Sequence, residues 1–314
     1  MDSNGGQVLG TIRTIVVGTD FSEAAATAMG WAAAIARPIG ARIELVHALS
    51  LPLPSADLVR PGPDFLDQLQ KAAEATLGSE VAKLRGEGLD VTPQLRLGQP
   101  SQVICDLAEA LPADLVVVGT RGYTGLRHIF LGSTAQQVVH HAHCPVLAVH
   151  PESPAARPIS TLLVPTDFSA DAQLAVHTAH RLLAHLEKDA KLVLVHAYHL
   201  PVEYTAYGTI PTALDFMKDA GFEAEERLAE VAEPLRREGL AVETVVREGF
   251  PPDVIAEEAK KHGADLIAMG THGHSGLRHL LLGSTAERVI RSTPCPVMTV
   301  RRPRSRHPQG GAPT

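Results

Sequence analysis

Aromatic residues are scarce in this chain: one tryptophan, four tyrosines and seven phenylalanines make up 4% of its 314 residues. Few flat side chains are therefore on hand to stack against the bases of single-stranded nucleic acid. Excess positive charge is missing too. The formal net charge is −7, which argues against bulk electrostatic binding to a polyanion. The basic stretch Arg301, Arg302, Arg304 and Arg306 is the exception, and reads as a solvated tail. No run of residues approaches the ~18 consecutive apolar positions of a membrane-spanning helix. Residues 1–10 lack the basic start and apolar core of a signal peptide. Cysteine is rare as well. Cys105, Cys144 and Cys295 are odd in number and form no CxxC pair, which suits small buried thiols in a reducing compartment. These absences lead to the expectation of a cytoplasmic protein that binds neither nucleic acid nor membrane.

Enzyme signatures are also wanting. There is no GxxxxGK[ST] phosphate loop, no GxGxxG after a first strand and no GxSxG nucleophile elbow. No acid or nucleophile pair recurs in both halves of the chain at the spacing of a catalytic dyad, so no catalytic residue is assigned.

What the chain does have is one loop written twice. Gly119-Thr120-Arg121-Gly122, nine residues, then Gly132-Ser133-Thr134 recurs as Gly270-Thr271-His272-Gly273, nine residues, then Gly283-Ser284-Thr285. Other strings repeat in the same order. The run ending in Gly18, Thr19, Asp20, Phe21 and Ser22 matches the run ending in Pro165, Thr166, Asp167, Phe168 and Ser169. Val46-His47-Ala48 matches Val195-His196-Ala197, and Cys144-Pro145-Val146 matches Cys295-Pro296-Val297. The offset is 147 residues at the aspartates and 151 at Gly132 and Gly283, so only loop lengths differ. A period this long is a domain duplication rather than a solenoid. Length and a 45% hydrophobic content fit two domains, each with a core of its own. The first domain is read as 1–150, a proline-rich linker as 151–159, the second domain as 160–302 and a disordered tail as 303–314.

Within each repeat, short apolar runs alternate with helical stretches, the order of a doubly wound α/β fold with parallel strands. Thr14-Ile15-Val16-Val17 and Leu115-Val116-Val117-Val118 are continuously apolar, as strands covered on both faces must be. Residues 52–63 and 200–212 follow the second strand of each repeat, where they either cover a site as a lid or are insertions without a role.

The Gly-Ser-Thr triplets open predicted helices. The first N–H groups of a helix lack internal partners, and the helix dipole adds positive charge there, so phosphate is well accommodated. Capping by serine or threonine is the plainer alternative. Asp20 and Asp167 end the first strand of each repeat, near the switch point of such a sheet. Each is suited to hydrogen-bond a base or ribose, to face phosphate-bound Mg²⁺, or merely to cap the next helix. Arg127 and Arg278, each followed by a histidine, are either phosphate partners or solvated loop charges. Arg121 and His272 hold matching positions but differ, so the role expected there is mainly through the backbone. The histidine-rich stretches at 140–143 and 272–274 do not have the spacing of a structural zinc site.

These residues together resemble the universal stress proteins, in a tandem arrangement that spans residues 11 to 302. The family's ATP-binding pattern is Gly, two residues, Gly, nine residues, Gly, then Ser or Thr, and both repeats fit it. The resemblance implies two five-stranded parallel sheets of order 3-2-1-4-5 with helices on both faces. It implies that Gly18, Thr19, Asp20 and the backbone of Ala48 surround adenine, that Val118 and Gly119 lie by the ribose, and that Gly122, Gly132, Ser133 and Thr134 hold the phosphates. The matching second set is Pro165, Thr166, Asp167, Ala197, Met269, Gly270, Gly273, Gly283, Ser284 and Thr285. The cofactor implied is ATP, with AMP or ADP as alternatives, and Mg²⁺ on the phosphates without protein metal ligands. The function expected is a stress-response nucleotide sensor or partner-binding module. A slow ATP hydrolase or nucleotidyl-transfer enzyme, and a scaffold without nucleotide, are the alternatives. A protein partner is left unidentified. Val146–Val149 and Val297–Val300 are expected to pair within one chain, with a homodimer left open.

Overall fold

A computed structural model describes residues 12–50, 64–121, 131–186, 190–198, 212–273 and 282–302, with only the backbone over 212–220. Gly122, Arg127, Arg278 and the 303–314 tail lie outside the described residues, as do 52–63 and nearly all of 200–212.

The first repeat runs β1 (Thr14–Thr19), α1 (Glu23–Ile39), β2 (Arg42–Leu49), α2 (Phe65–Gly86), β3 (Val91–Leu97), α3 (Pro100–Ala110), β4 (Leu115–Gly119), α4 (Ser133–His141) and β5 (Val146–Val149). The second runs β6 (Thr161–Pro165), α5 (Ala170–Leu186), β7 (Lys191–Tyr198), α6 (Thr212–Arg237), β8 (Ala241–Glu248), α7 (Pro251–Lys261), β9 (Leu266–Gly270), α8 (Ser284–Ser292) and β10 (Val297–Val300). The helices begin and end for local reasons. Ser22 caps α1, its hydroxyl accepting from Ala25 N, and Gly40 closes the same helix in the left-handed conformation. Pro100 and Pro251 sit in the first turns of α3 and α7, where the missing N–H costs nothing.

Each repeat forms a parallel sheet of order 3-2-1-4-5, and the two sheets join into one. The strand order is β3-β2-β1-β4-β5-β10-β9-β6-β7-β8. The join is antiparallel, with Val297 opposite Ala148, Met298 opposite Leu147 and Thr299 opposite Val146. Thr299 Oγ1 adds a hydrogen bond to Val146 O at 3.3 Å. The intrachain pairing expected of these strands is therefore present. Pro145 and Pro296 lie just before the strands, and each still offers its carbonyl, to Val116 N and Ile267 N respectively.

The expectation of one core per domain needs correction. The apolar residues form two layers, one on each face of the sheet, and both layers cross the seam. One holds Ile15, Val17, Leu147, Leu162, Met298 and the inner faces of α1 and α5. The other holds Val16, Val116, Val146, Leu163, Ile267 and Val297. A ten-stranded sheet has only two faces, and alternation along each strand sends every side chain to one or the other. The linker is stitched to this body. Trp31 Nε1 donates to Pro154 O at 3.2 Å, and Ser153 Oγ donates to Pro294 O at 2.7 Å. The buried carboxylate of Asp265 receives Ser160 N and Thr161 N, both at 2.9 Å, and pairs with Arg157. Asp114 does the same for Arg13 N and Thr14 N in the first repeat.

The cysteines are half-buried and unpaired. Burial, with Asp114 and Asp265 respectively adding to it, pushes Cys144 and Cys295 up to about 12, and burial pushes Cys105 up to about 11. Thiols of this kind are poor nucleophiles.

Two outcomes follow from this packing. Leu147→Ala, at a fully buried position on the seam, should lower unfolding free energy by about 2–5 kcal/mol. Urea titration followed by Trp31 fluorescence checks this, and an unchanged midpoint would refute the seam as a packed junction. Iodoacetamide at pH 8 should label the native thiols far more slowly than the urea-unfolded ones. Equal rates would contradict their burial.

Candidate functional site

Two clefts open where β1 and β4, and again β6 and β9, end. Their empty volumes, with the open solvent at their mouths included, are about 890 Å³ and about 830 Å³. The first is lined by all its predicted residues except Gly122, and the second by all of its predicted residues. The structure thus brings together positions more than a hundred residues apart in the chain.

The triplet glycines prove to be the helix caps. Gly132 and Gly283 are the N-caps of α4 and α8, with no side-chain cap hydrogen bond. Their carbonyls take Gln136 N and Glu287 N. Ser133, Thr134, Ser284 and Thr285 therefore lie inside the first turn, with hydroxyls not spent on capping. The first N–H groups of each helix, which lack intrahelical partners, belong to residues that line the cleft.

The aspartates are not helix caps either. Asp20 Oδ1 accepts from Ser22 N at 3.0 Å, and Asp167 Oδ1 accepts from Ser169 N at 2.9 Å. It is Ser22 and Ser169 that reach into the helices, to Ala25 N and Ala172 N. The capping alternative for Asp20 gives way because the N-cap, Ser22, lies two residues further on. Each carboxylate lines its cleft instead.

Two glycines of the second loop lie close to their neighbours, Gly270 against backbone that cannot yield and Gly273 against a carboxylate that a larger residue would displace. A Cβ on Gly273 would fall 2.5 Å from Asp167 Oδ2, and one on Gly270 would fall 2.8 Å from the Asp171 carbonyl carbon. Their service is close approach rather than positive φ. The loop packs directly over the end of the first strand and the start of α5.

One feature of the site went unread in the sequence. Phe21 and Phe168 adopt φ of 62° and 64°, in the left-handed region that a bulky residue rarely enters. Thr19 Oγ1 and Thr166 Oγ1 each accept from the phenylalanine N–H at 3.0 Å. Each ring packs on a histidine, Phe21 on His47 at 4.3 Å and Phe168 on His196 at 4.7 Å between centroids. His47 Nδ1 and His196 Nδ1 contact the carbonyls of Thr19 and Thr166 at 2.9 and 2.8 Å. This bracing turns the chain sharply after the aspartate, so the carboxylate stays at the cleft mouth. The signal was present, because Asp-Phe-Ser and Val-His-Ala both recur, but periodicity says nothing of φ.

Two histidines of the 140–143 stretch have local partners. His143 Nε2 pairs with Glu109 at 3.0 Å, and His141 Nδ1 contacts Gln137 O at 2.8 Å. Among the described residues no three His, Cys, Asp or Glu side chains converge as a metal site.

Burial, with Arg227 adding to it, holds His196 below the ordinary histidine range, against the opposing pull of its Thr166 carbonyl contact and Asp167. Burial likewise lowers His140 and His150, helped by Arg301 and Arg121 respectively. Such groups take up protons more readily when the chain unfolds. Their contribution to stability is complete above the unfolded value of about 6.5 and is lost as pH falls below it. The unfolding free energy should therefore decline from pH 7.5 to pH 5.5, and His196→Gln should flatten that slope. A wild-type profile flat over this window would contradict it.

Comparison with known proteins agrees with this architecture. The universal stress protein family model matches residues 11–150 and 158–301. A universal stress protein of Mycolicibacterium smegmatis is 30% identical over 292 residues, covering 91% of this chain and 96% of its own length. One from Mycobacterium tuberculosis is 29% identical over 317 residues, covering 95% and 98%. The crystal structure of a universal stress protein from Archaeoglobus fulgidus superposes with a TM-score of 0.67 at 22% identity, covering 93% of this chain and 97% of that one. Among the described residues no helix is long and apolar enough to cross a membrane. With both halves of the chain matched in tandem, it belongs to the universal stress protein family.

Proposed function

We propose that both clefts bind ATP, and that the protein acts as a cytoplasmic, nucleotide-dependent stress-response module whose nucleotide state is read by a protein partner. The single observation that carries this proposal is the repeated convergence, in each half, of three elements. These are a first-strand aspartate, a close-packed glycine loop and a glycine-capped helix start whose hydroxyls are not the caps.

Each element suits a different part of the ligand. Asp20 and Asp167, with the backbones of Ala48 and Ala197, offer hydrogen bonding for a base. Val118 and Met269, beside Gly119 and Gly270, supply a wall for the sugar. Ser133, Thr134, Ser284 and Thr285 supply hydroxyls and backbone N–H groups for phosphate. Mg²⁺ needs no protein cage here, since it binds nucleotides through phosphate oxygens and retained water. The relatives' shared name, universal stress protein, supports the stress-response setting. The seam already occupies β5 and β10, so a homodimer would need another surface.

Calorimetric titration with Mg-ATP tests this. Wild-type protein should bind two equivalents, and thermal stability should rise with saturating ligand. Gly132→Val and Gly283→Val should each leave one equivalent, since a Cβ at these positions already meets Thr120 O at 3.0 Å and Thr271 O at 2.9 Å. Folded protein that gives neither heat nor a melting shift would overturn the proposal.

A further inference from the structure

The two clefts repeat the same frame but not the same charge. Arg121 lines the first and His272 lines the second, at matching positions of the glycine loop. Among the described residues, Arg121 is the one arginine or lysine on the first cleft, and the second cleft has none. Arginine is a permanent cation whose fork matches phosphate geometry. Among the described residues the ion pair of Arg121 is a loose one: its Nη1 lies 3.8 Å from Glu152 Oε1, a carboxylate 74% exposed to solvent. An ion pair of that kind holds its partner weakly.

His272 is placed differently. Its Nδ1 lies 2.9 Å from Thr271 Oγ1 and 3.5 Å from Asp171 Oδ2. Asp171 is nine-tenths buried, and its other oxygen receives Arg302 Nε at 2.9 Å. His140 of α4 also lies within electrostatic range of this histidine. The first repeat has Ala24 where the second has Asp171, and Thr120 Oγ1, the counterpart of Thr271 Oγ1, is buried without a partner among the described residues. The exchange is therefore paired: alanine with arginine in one cleft, aspartate with histidine in the other. Residue 24 or 171 packs directly beneath the loop glycine in each case, so the carboxylate acts on the loop at short range.

We propose that the clefts differ in how many phosphates they require: Arg121 makes the first selective for a triphosphate nucleotide, whereas the second, with His272 held over Asp171, distinguishes poorly between triphosphate and monophosphate. The proposal rests on the nucleotide-binding role given above and assigns Arg121 and His272 as its specificity residues. One fixed cation on a terminal phosphate is worth about tenfold in affinity or more. In site 1 that factor applies to ATP and not to AMP.

The test is calorimetry with Mg-ATP and with AMP on Gly283→Val protein, which keeps the first cleft, and Gly132→Val protein, which keeps the second. The ratio of ATP to AMP affinity should be at least about tenfold larger in the first cleft. Arg121→His with Ala24→Asp should bring that ratio down to the value of the second cleft, and His272→Arg with Asp171→Ala should raise the second. If a glycine variant melts without cooperativity, the wild-type isotherms carry the same comparison: the gap between the two site affinities should change by at least about tenfold from AMP to ATP, and Arg121→His should remove that change. Equal ratios in the two clefts, or a gap between the wild-type site affinities that is the same for ATP and AMP, overturn the proposal while leaving nucleotide binding intact. Absence of heat with both nucleotides in folded wild-type protein overturns nucleotide binding itself, and the proposal with it.

Discussion

Backbone pairing between β5 and β10 is the constraint on which the rest of the molecule depends. A parallel sheet built as 3-2-1-4-5 leaves its last strand at an edge, with unpaired N–H and C=O groups. Here the two last strands satisfy each other. Because they meet antiparallel, the two half-sheets run in opposite directions. The carboxyl ends of the strands, where ligands of such sheets bind, therefore fall on opposite edges of one continuous sheet. The seam also joins the apolar layers of the two repeats on both faces of the sheet.

The same geometry makes α4 a link between the halves. Its first turn holds Ser133 and Thr134 at the first cleft. Its last turn holds His140, whose carbonyl accepts from Arg301 Nη1 at 2.6 Å, just past the end of β10. Val300, the residue before, accepts from Thr271 N in the second cleft's loop. A helix that begins at one cleft and ends against the other follows from a short element packed beside an antiparallel seam.

Much of this was legible in the chain. Apolar runs such as Leu115 to Val118, with helical stretches between, disclosed a parallel α/β sheet. Matching strings at near-constant offset disclosed the duplication. The glycine loops and first-strand aspartates marked residues that do share a cleft. Three things were not legible. The N-caps at Gly132, Gly283, Ser22 and Ser169 depend on backbone angles rather than residue type. The left-handed phenylalanines leave no trace in a hydrophobicity pattern, because φ is independent of side-chain polarity. The unlike residues Arg121 and His272 pointed to a backbone role, since nothing in the sequence placed Asp171, a hundred residues away, beneath one of them.

The sequence by itself determined the local frame: strands by their apolar continuity, loops by their glycines, and two copies of each by repetition. These depend on neighbouring residues and survive being read in one dimension. Only the tertiary structure decided that the joined copies share two apolar layers rather than keeping a core each, and that their clefts carry different charge. Both outcomes come from contacts between residues far apart in the chain. Val297 faces Ala148 across the seam and Asp171 lies under the Gly270 loop, and a one-dimensional pattern records neither distance.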